Sequence, residues 1–304
     1  MASDAESSGA ATGDAGMRHV KGLLMKKFAL GAVALLALAA PAIAADLAPR
    51  TAYVKAPAYE PTYNWSGFYL GANAGGGWSH SSASTTTLDP SLLYFGNSST
   101  VAIAGVGAQG LSSSGFTGGL TLGYNWQSGD AVVGIESDFD YFGNKGSASG
   151  TAVYPCCAPS TFTVNSAVST DWLFTLRPRV GLASSNWLFY VTGGLALTQL
   201  KGNFSFTDTF ASATESGAFS RTRAGWTIGG GAEYALLNGW SVKAEYLYVD
   251  FGSVATTSNN LSALLYGIPS VISVQTFTHA ADLHSNIVRA GLNYKFGEPV
   301  VAKY

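Results

Sequence analysis

The residues of this chain that could do chemistry are charged side chains set at alternate positions. Glu136, Asp138 and Asp140 follow one another at intervals of two, as do Arg177 and Arg179, and Lys243 and Glu245, while Arg223, Glu233 and Arg289 stand singly in similar surroundings. With Asp171 and Lys295 they make six acids and six bases. An interval of two puts side chains on one face of an extended strand. On facing strands of a narrow barrel these charges meet inside it, where they are tolerated only if paired and hydrogen-bonded. Arg177 and Arg179 are therefore expected to reach Glu136, Asp138 or Asp140 on a neighbouring strand. Such an interior is either a salt-bridged plug or a narrow polar pathway, and the space inside eight strands favours the plug.

Other chemistries are weaker. The glycine clusters 75–77 and 229–231 lack the following helix and ribose-binding acid of a dinucleotide loop, and close strand packing explains them better. His80, His279 and His284 have no metal-ligand spacing and read as solvated loop residues. No Gly-x-Ser-x-Gly elbow accompanies a possible Ser/His/Asp set. No catalytic residue, metal ligand or cofactor follows from the sequence, and the chain is not expected to be an enzyme. Cys156 and Cys157 lie between Pro155 and Pro159 in a loop-like stretch, where two free thiols are expected and a vicinal disulfide is the alternative.

The elements that position the charges are segments in which apolar and polar residues alternate with period two. In the clearest, Phe116, Leu120, Leu122, Tyr124 and Trp126 share one face and Thr117, Gly119, Thr121, Gly123 and Asn125 the other. Eight such segments run over 67–78, 116–126, 131–141, 172–182, 187–198, 222–235, 240–250 and 284–296. Pro178 cannot donate to a ladder and marks a bulge or local break in pairing. Tight turns at 127–130, 184–186 and 236–239 alternate with long Ser/Thr/Asn/Gly-rich loops at 79–113, 142–168, 199–221 and 251–283. The predicted fold is all-β: an eight-stranded antiparallel up-and-down transmembrane β-barrel with short periplasmic turns and long extracellular loops.

Composition agrees. Charged residues are only 11%, aromatics 12%, and there are 37 glycines, whereas a soluble domain carries charge at roughly a quarter of its positions. No long apolar run follows residue 44, so a membrane-spanning chain must use a closed sheet, since hydrocarbon offers the backbone no other hydrogen-bond partner. Outward aromatics would form two girdles: Phe68, Tyr124, Trp126, Trp187, Tyr234, Trp240, Tyr294 and Phe296 at the turn side, and Trp78, Phe116, Tyr141, Trp172, Trp226 and Tyr248 at the loop side. A secreted lipocalin-like barrel would turn the same apolar faces inward, which crowds its lumen with Trp and Phe. On the outward assignment Leu122→Arg is costly and Thr121→Arg milder.

Residues 25–44 read as a signal peptide: Lys26 and Lys27, an apolar stretch over 28–40, and Ala42-Ile43-Ala44, with cleavage between Ala44 and Ala45. Residues 1–24 are unlike an export signal, which suggests a start at Met25 or Met17. Residues 45–64, rich in Pro and Ala, read as a periplasmic linker, 65–297 as the barrel and 298–304 as a tail. The formal charge of −2 becomes −3 when the four bases and three acids before Ala45 are removed, which argues against nucleic acid as a partner. The oligomeric state is left open.

Four stretches carry a family resemblance: Trp65-Ser66-Gly67-Phe68-Tyr69-Leu70-Gly71, Gly225-Trp226-Thr227-Ile228-Gly229-Gly230-Gly231, Lys243-Ala244-Glu245-Tyr246-Leu247-Tyr248, and Val288-Arg289-Ala290-Gly291-Leu292-Asn293-Tyr294-Lys295-Phe296. The chain resembles the OmpA-like, opacity-type surface antigen family of outer-membrane β-barrels over nearly all of residues 25–297. The resemblance implies a structural surface protein of the cell outer membrane, with porin-like members. It also implies insertion by machinery that reads an aromatic-ended last strand, here at Phe296 or, after the tail, Tyr304. Its partners would be outer-membrane lipid, that machinery, and extracellular ligands of the loops. A structural, loop-displaying role leads, with a small-solute channel as the alternative.

Overall fold

The computed structural model describes residues 63–88 and 94–297. The upstream segment, the signal peptide with its Ala44–Ala45 cleavage point, nearly all of the linker and the tail 298–304 lie outside the described residues. The chain forms strands β1 (Gly67–Leu88), β2 (Gln109–Ser128), β3 (Ala131–Phe142), β4 (Lys145–Val153), β5 (Thr161–Ser184), β6 (Trp187–Asp208), β7 (Thr214–Ala235), β8 (Trp240–Ser258), β9 (Ser262–Leu265), β10 (Ile268–Val271) and β11 (Thr276–Lys295), with one helix, α1 (Asn97–Gly107). Eight strands, β1, β2, β3, β5, β6, β7, β8 and β11, pair antiparallel with their neighbours, and β1 closes the ring against β11 from Tyr69↔Lys295 to Leu88↔Thr276. The ring is the up-and-down barrel that the alternation predicts. Among the described residues, no helix is long and apolar enough to cross a membrane.

The lower barrel has the expected two faces. Leu70, Leu120, Leu122, Val133, Ile135, Val180, Val191, Ile228 and Leu292 point outward and are exposed. Aromatic residues flank this belt: Phe68, Trp126, Trp187, Trp240 and Phe296 at the turn side, and Trp78, Phe116, Tyr141 and Trp226 at the other. At Pro178 the β5–β6 ladder has no paired residues between Leu176↔Leu195 and Arg179↔Thr192 but keeps its register. The proline thus opens a gap in pairing and makes no bulge. The bulge of β5 lies between Thr170 and Leu173.

The long segments expected to be loops are mostly strand. β1, β2, β5, β6, β7, β8 and β11 continue well past the belt, and β4, β9, β10 and α1 join them to form a crown. Periodicity missed this for a physical reason. Outside the belt the surroundings change from apolar to aqueous, so the apolar face turns inward: Phe162, Val164, Phe204, Phe206 and Phe277 are all buried there. In β1 the upper stretch is Ser/Thr-rich on both faces, which leaves no alternation to read. α1 has no side-chain cap and buries Ser99, Ile103 and Gly107 at helical spacing. A Cβ on Gly107 would overlap the backbone of Thr85.

Crown and barrel are packed throughout. One apolar cluster fills the upper barrel around Phe142, Leu173, Leu200, Leu247, Phe251 and Ile287. A second fills the crown around Phe95, Ile103, Phe162, Phe206 and Phe277. A third closes the turn-side end with Trp65, Val132, Leu188 and Tyr190.

Candidate functional site

Nine of the twelve charged residues singled out by sequence meet between the turn-side and upper apolar clusters. Glu136 and Glu245 sit on directly paired or nearby strands with Arg177, Lys243 and Arg289, because successive inward positions of β3, β5, β8 and β11 bring them to one level. Arg177 Nη2 lies 2.7 Å from Glu136 Oε1 and 2.5 Å from Asp138 Oδ2, and its Nη1 lies 3.2 Å from Glu245 Oε1. Arg289 contacts Glu245 Oε2 at 2.6 Å, Asp138 Oδ2 at 2.9 Å and Asp140 Oδ2 at 2.8 Å. Lys243 Nζ donates to both oxygens of Glu136 at 2.9 Å. Arg179 bridges Glu136 and Glu233, at 3.4 and 3.1 Å. All nine are buried. Arg177 and Arg179 thus reach the carboxylates of β3, while Asp140 is met by Arg289 on β11.

The sixfold balance read from the sequence is not realised inside. Arg223 stands above the network, donating to the carbonyls of Phe251 and Ser253. It keeps an inward parity but lies on β7 beyond the last β7–β8 pair, Trp226↔Asp250, too far from the level of Glu233 to join the network. Asp171, at the β5 bulge, pairs instead with Lys201 on the partly exposed outer side. Lys295 lies at the turn-side end, donating to the Asn64 carbonyl and covering the Tyr63 ring at 4.4 Å.

The central network therefore contains five acids and four bases, namely Glu136, Asp138, Asp140, Glu233 and Glu245 against Arg177, Arg179, Lys243 and Arg289. Neutral donors supply the difference. Tyr69 donates to Glu136 at 2.7 Å, Tyr190 to Glu245 at 3.0 Å, Thr121 and Thr175 to Asp138 at 2.6 and 2.9 Å, and Asn73 to Asp140 at 2.8 Å. Ser241 and Asn293 complete Glu233. A carboxylate has about four acceptor sites, so these bonds fill the acceptor positions that the four cations leave open.

Sequence reasoning missed Tyr69 and Tyr190, whose signal was an aromatic at an inward parity opposite a glycine. Tyr69 pairs with Gly123 and Tyr190 with Gly231. Their rings enclose the Arg179 guanidinium at 4.8 and 5.0 Å, a cation–π arrangement. A Cβ on Gly123 would overlap the Tyr69 ring, which Glu136 and Arg179 hold in place. Gly123→Ala should lower stability by about 1–3 kcal/mol through overpacking. A urea titration of the folded, vesicle-embedded protein checks this, and unchanged stability would show that the ring has room to move.

Space around the network is small. A pocket of about 10 Å³ lies above it, lined by inward residues such as Ser79, Ser81, Asn144 and Thr170, and another of about 10 Å³ lies below, beside Tyr69 and Glu233. Each has room for roughly one water.

The crown holds a second polar node. His279, expected as a solvated loop residue, is buried, stacked on Phe204 at 4.8 Å. Its Nδ1 contacts Thr85 at 3.0 Å and its Nε2 contacts Glu215 at 3.1 Å, while Ser258 also donates to Glu215. The extended β11 carries it into the crown interior, which the loop assignment could not foresee. His80 and His284 are cross-strand neighbours on the outer face, with ring centroids 5.8 Å apart. At the crown rim Tyr94 and Tyr154 both donate to Asp208, and burial pushes both phenols above the usual tyrosine range. Cys156 and Cys157 form a vicinal disulfide, which corrects the free-thiol expectation. The β4–β5 connection that holds them folds back on itself, with Tyr154 N–H bonded to the Ser160 carbonyl. Among the described residues no group of three or more His, Cys, Asp or Glu is placed to hold a metal ion.

The sequence profile of the family described as outer membrane protein beta-barrel domain matches residues 30–296. The 31 kDa outer-membrane immunogenic protein of Brucella melitensis biotype 1 is 32% identical over 277 residues, which is 90% of this chain and all of that protein. The 25 kDa outer-membrane immunogenic protein of Brucella abortus biovar 1 is 28% identical, covering 75% of this chain and 86% of its own length. A 22 kDa outer membrane protein of Rhizobium leguminosarum bv. viciae is 30% identical over 53% of this chain and 64% of its own.

Proposed function

From the premise that this chain belongs to the outer membrane protein β-barrel domain family, we propose that it is a non-conducting, non-enzymatic barrel that strengthens the envelope and presents a rigid crown. One observation carries this reading: the lumen is filled in consecutive layers. A turn-side apolar cluster, the nine-residue charge network, an upper apolar cluster, the His279 node and the crown core follow one another along the axis. A channel needs a continuous wet path, and the pocket among the upper apolar cluster and the one below the network, beside Tyr69 and Glu233, each hold about one water.

In this reading the protein is exported with cleavage between Ala44 and Ala45. The outer-membrane insertion machinery recognises the last strand through the outward ring of Phe296, which packs beside Phe68 and Tyr294. Outer-membrane lipid covers the apolar belt. A secreted ligand-binding barrel would instead need that belt turned inward.

The crown has packed strands where the sequence predicts long loops, which suits a display surface whose shape is fixed before it meets a ligand. That relatives are called immunogenic outer-membrane proteins accords with an exposed surface. Liposome swelling tests the function. Vesicles carrying the folded protein should swell in small sugars no faster than protein-free vesicles, and solute-size-dependent swelling would support the channel alternative instead.

A further inference from the structure

Between Asp250 and Asp282 the sequence contains no Asp, Glu, Lys or Arg. This stretch includes β9 and β10, a short hairpin that extends the β7 edge through Thr214↔Ser262. Its stem is fastened: Leu261, Ala263 and Ile272 are buried in the crown core, and Leu264 N–H bonds to the Ala211 carbonyl. Its tip is not covered. Leu264 and Ile268 are exposed there, and Tyr266 is fully so, at 104%. Leu265 pairs with Ile268, so Tyr266 and Gly267 form a two-residue turn, both with positive φ, at 53° and 79°. Such a turn favours Asn-Gly. Here its first position instead carries a large amphipathic ring, held away from the rest of the protein.

We infer that this hairpin is a lipid-docking tip, through which Leu264, Tyr266 and Ile268 enter the interfacial layer of a second phospholipid membrane facing the crown. Three observations select a lipid surface over a protein. The tip exposes apolar groups at its turn and on both of its strands, Leu264 on one and Ile268 on the other, which a fluid apolar layer can surround from every side. Pro269 lies on β10, the outermost strand of the sheet, and lacks an N–H. With only four residues on each strand, this edge is poorly suited to pairing with a partner strand. Finally, an uncharged tip bearing Tyr and aliphatic residues suits the boundary between headgroups and acyl chains, where amphipathic rings settle.

The membrane that the barrel spans is not the target. From Trp226 in the outer aromatic ring, β7 runs to Thr214 over about 40 Å of strand before the hairpin begins. Because the tip has no charge, docking should depend neither on anionic lipid nor on salt, unlike a basic lipid-binding patch.

This inference rests on the crown being a rigid display surface, but it fails independently of the closed lumen, because its test reads no solute or ion flow. The mature chain in nanodiscs is mixed with phosphatidylcholine vesicles and floated on a density gradient. Co-flotation is expected, equal with vesicles containing phosphatidylglycerol and at high salt. Combined Tyr266→Asp and Ile268→Asp should reduce it at least tenfold, while Val101→Asp, at an exposed position of α1 elsewhere on the crown, should leave it unchanged. In Tyr266→Trp, the new fluorophore should be quenched by brominated lipid in the added vesicles. Absence of flotation, flotation that survives the double substitution, or flotation only with anionic vesicles would overturn the inference.

Discussion

Replacing Arg289 with Met should lower the stability of the folded barrel by about 3–5 kcal/mol, the range found when one partner of a buried ion pair is removed. Arg289 sits within 3 Å of oxygens from Glu245, Asp138 and Asp140. The substitution keeps most of the side-chain volume and leaves a network of five acids and three bases. The neutral donors Tyr69, Tyr190, Thr121 and Asn73 already serve these acids and cannot replace a positive charge. A second substitution, Glu245→Gln, should recover part of the loss when combined with Arg289→Met, although alone it also destabilises. Urea titrations of the two single variants and the double variant form the required cycle. Additive losses would mean that the two residues do not interact as their 2.6 Å contact implies.

Leu122→Arg tests the outer face. Leu122 lies between the two aromatic rings, exposed and opposite Leu70 on β1. An arginine near the bilayer midplane costs about 2–4 kcal/mol. Thr86→Arg is the matched comparison: Thr86 also points outward from an exposed position, but on the crown part of β1. In water such a change is worth within about 0.5 kcal/mol. Refolding in lipid vesicles should therefore be impaired for Leu122→Arg and normal for Thr86→Arg, and equal losses would contradict the placement of the lipid boundary. Thr121→Arg, milder on the sequence reading, is no longer a neutral comparison. The Thr121 hydroxyl is buried and donates to Asp138 at 2.6 Å, so the larger side chain would disturb the network itself.

The barrel was legible because its membrane section has one dry face and one polar face on each strand. Trp126 and Asn125, or Leu176 and Arg177, announce their sides at a spacing of two. The charge network was legible from the same parity, and its membership failed for two reasons that parity does not show, height along the barrel and a local irregularity. Arg223 keeps the inward parity of Thr227 on a strand whose register with β6 is unbroken, but it lies far along β7 from Glu233, and Lys295 lies at the turn-side end, so height separates both from the network. Near Arg223, Gly252 adopts a positive φ of 62° with its N–H bonded to Asp250 Oδ1, at the irregularity that shifts the β8–β11 register. Asp171 lies at the β5 bulge. A one-residue irregularity turns a side chain to the other face, and no local composition marks it.

The crown was not legible for a different reason. Its strands bury Phe162, Phe206 and Phe277 inward and show Ser and Thr outward, the reverse of the belt below. A single rule for which face is apolar therefore fails along one continuous strand. His279 illustrates the consequence: a histidine in a stretch of Thr and Ala reads as solvated until the strand is extended and its inward parity becomes visible.

The closed lumen is tested most directly by planar-bilayer conductance of the refolded chain from Ala45 onward, with heat-dependent gel mobility used beforehand to verify folding. The account predicts a silent bilayer across salt concentrations. Stable, reproducible steps whose size shifts when Glu136 or Arg177 is neutralised would contradict it, because they would place an ion path through the network that Arg177, Lys243 and Arg289 close.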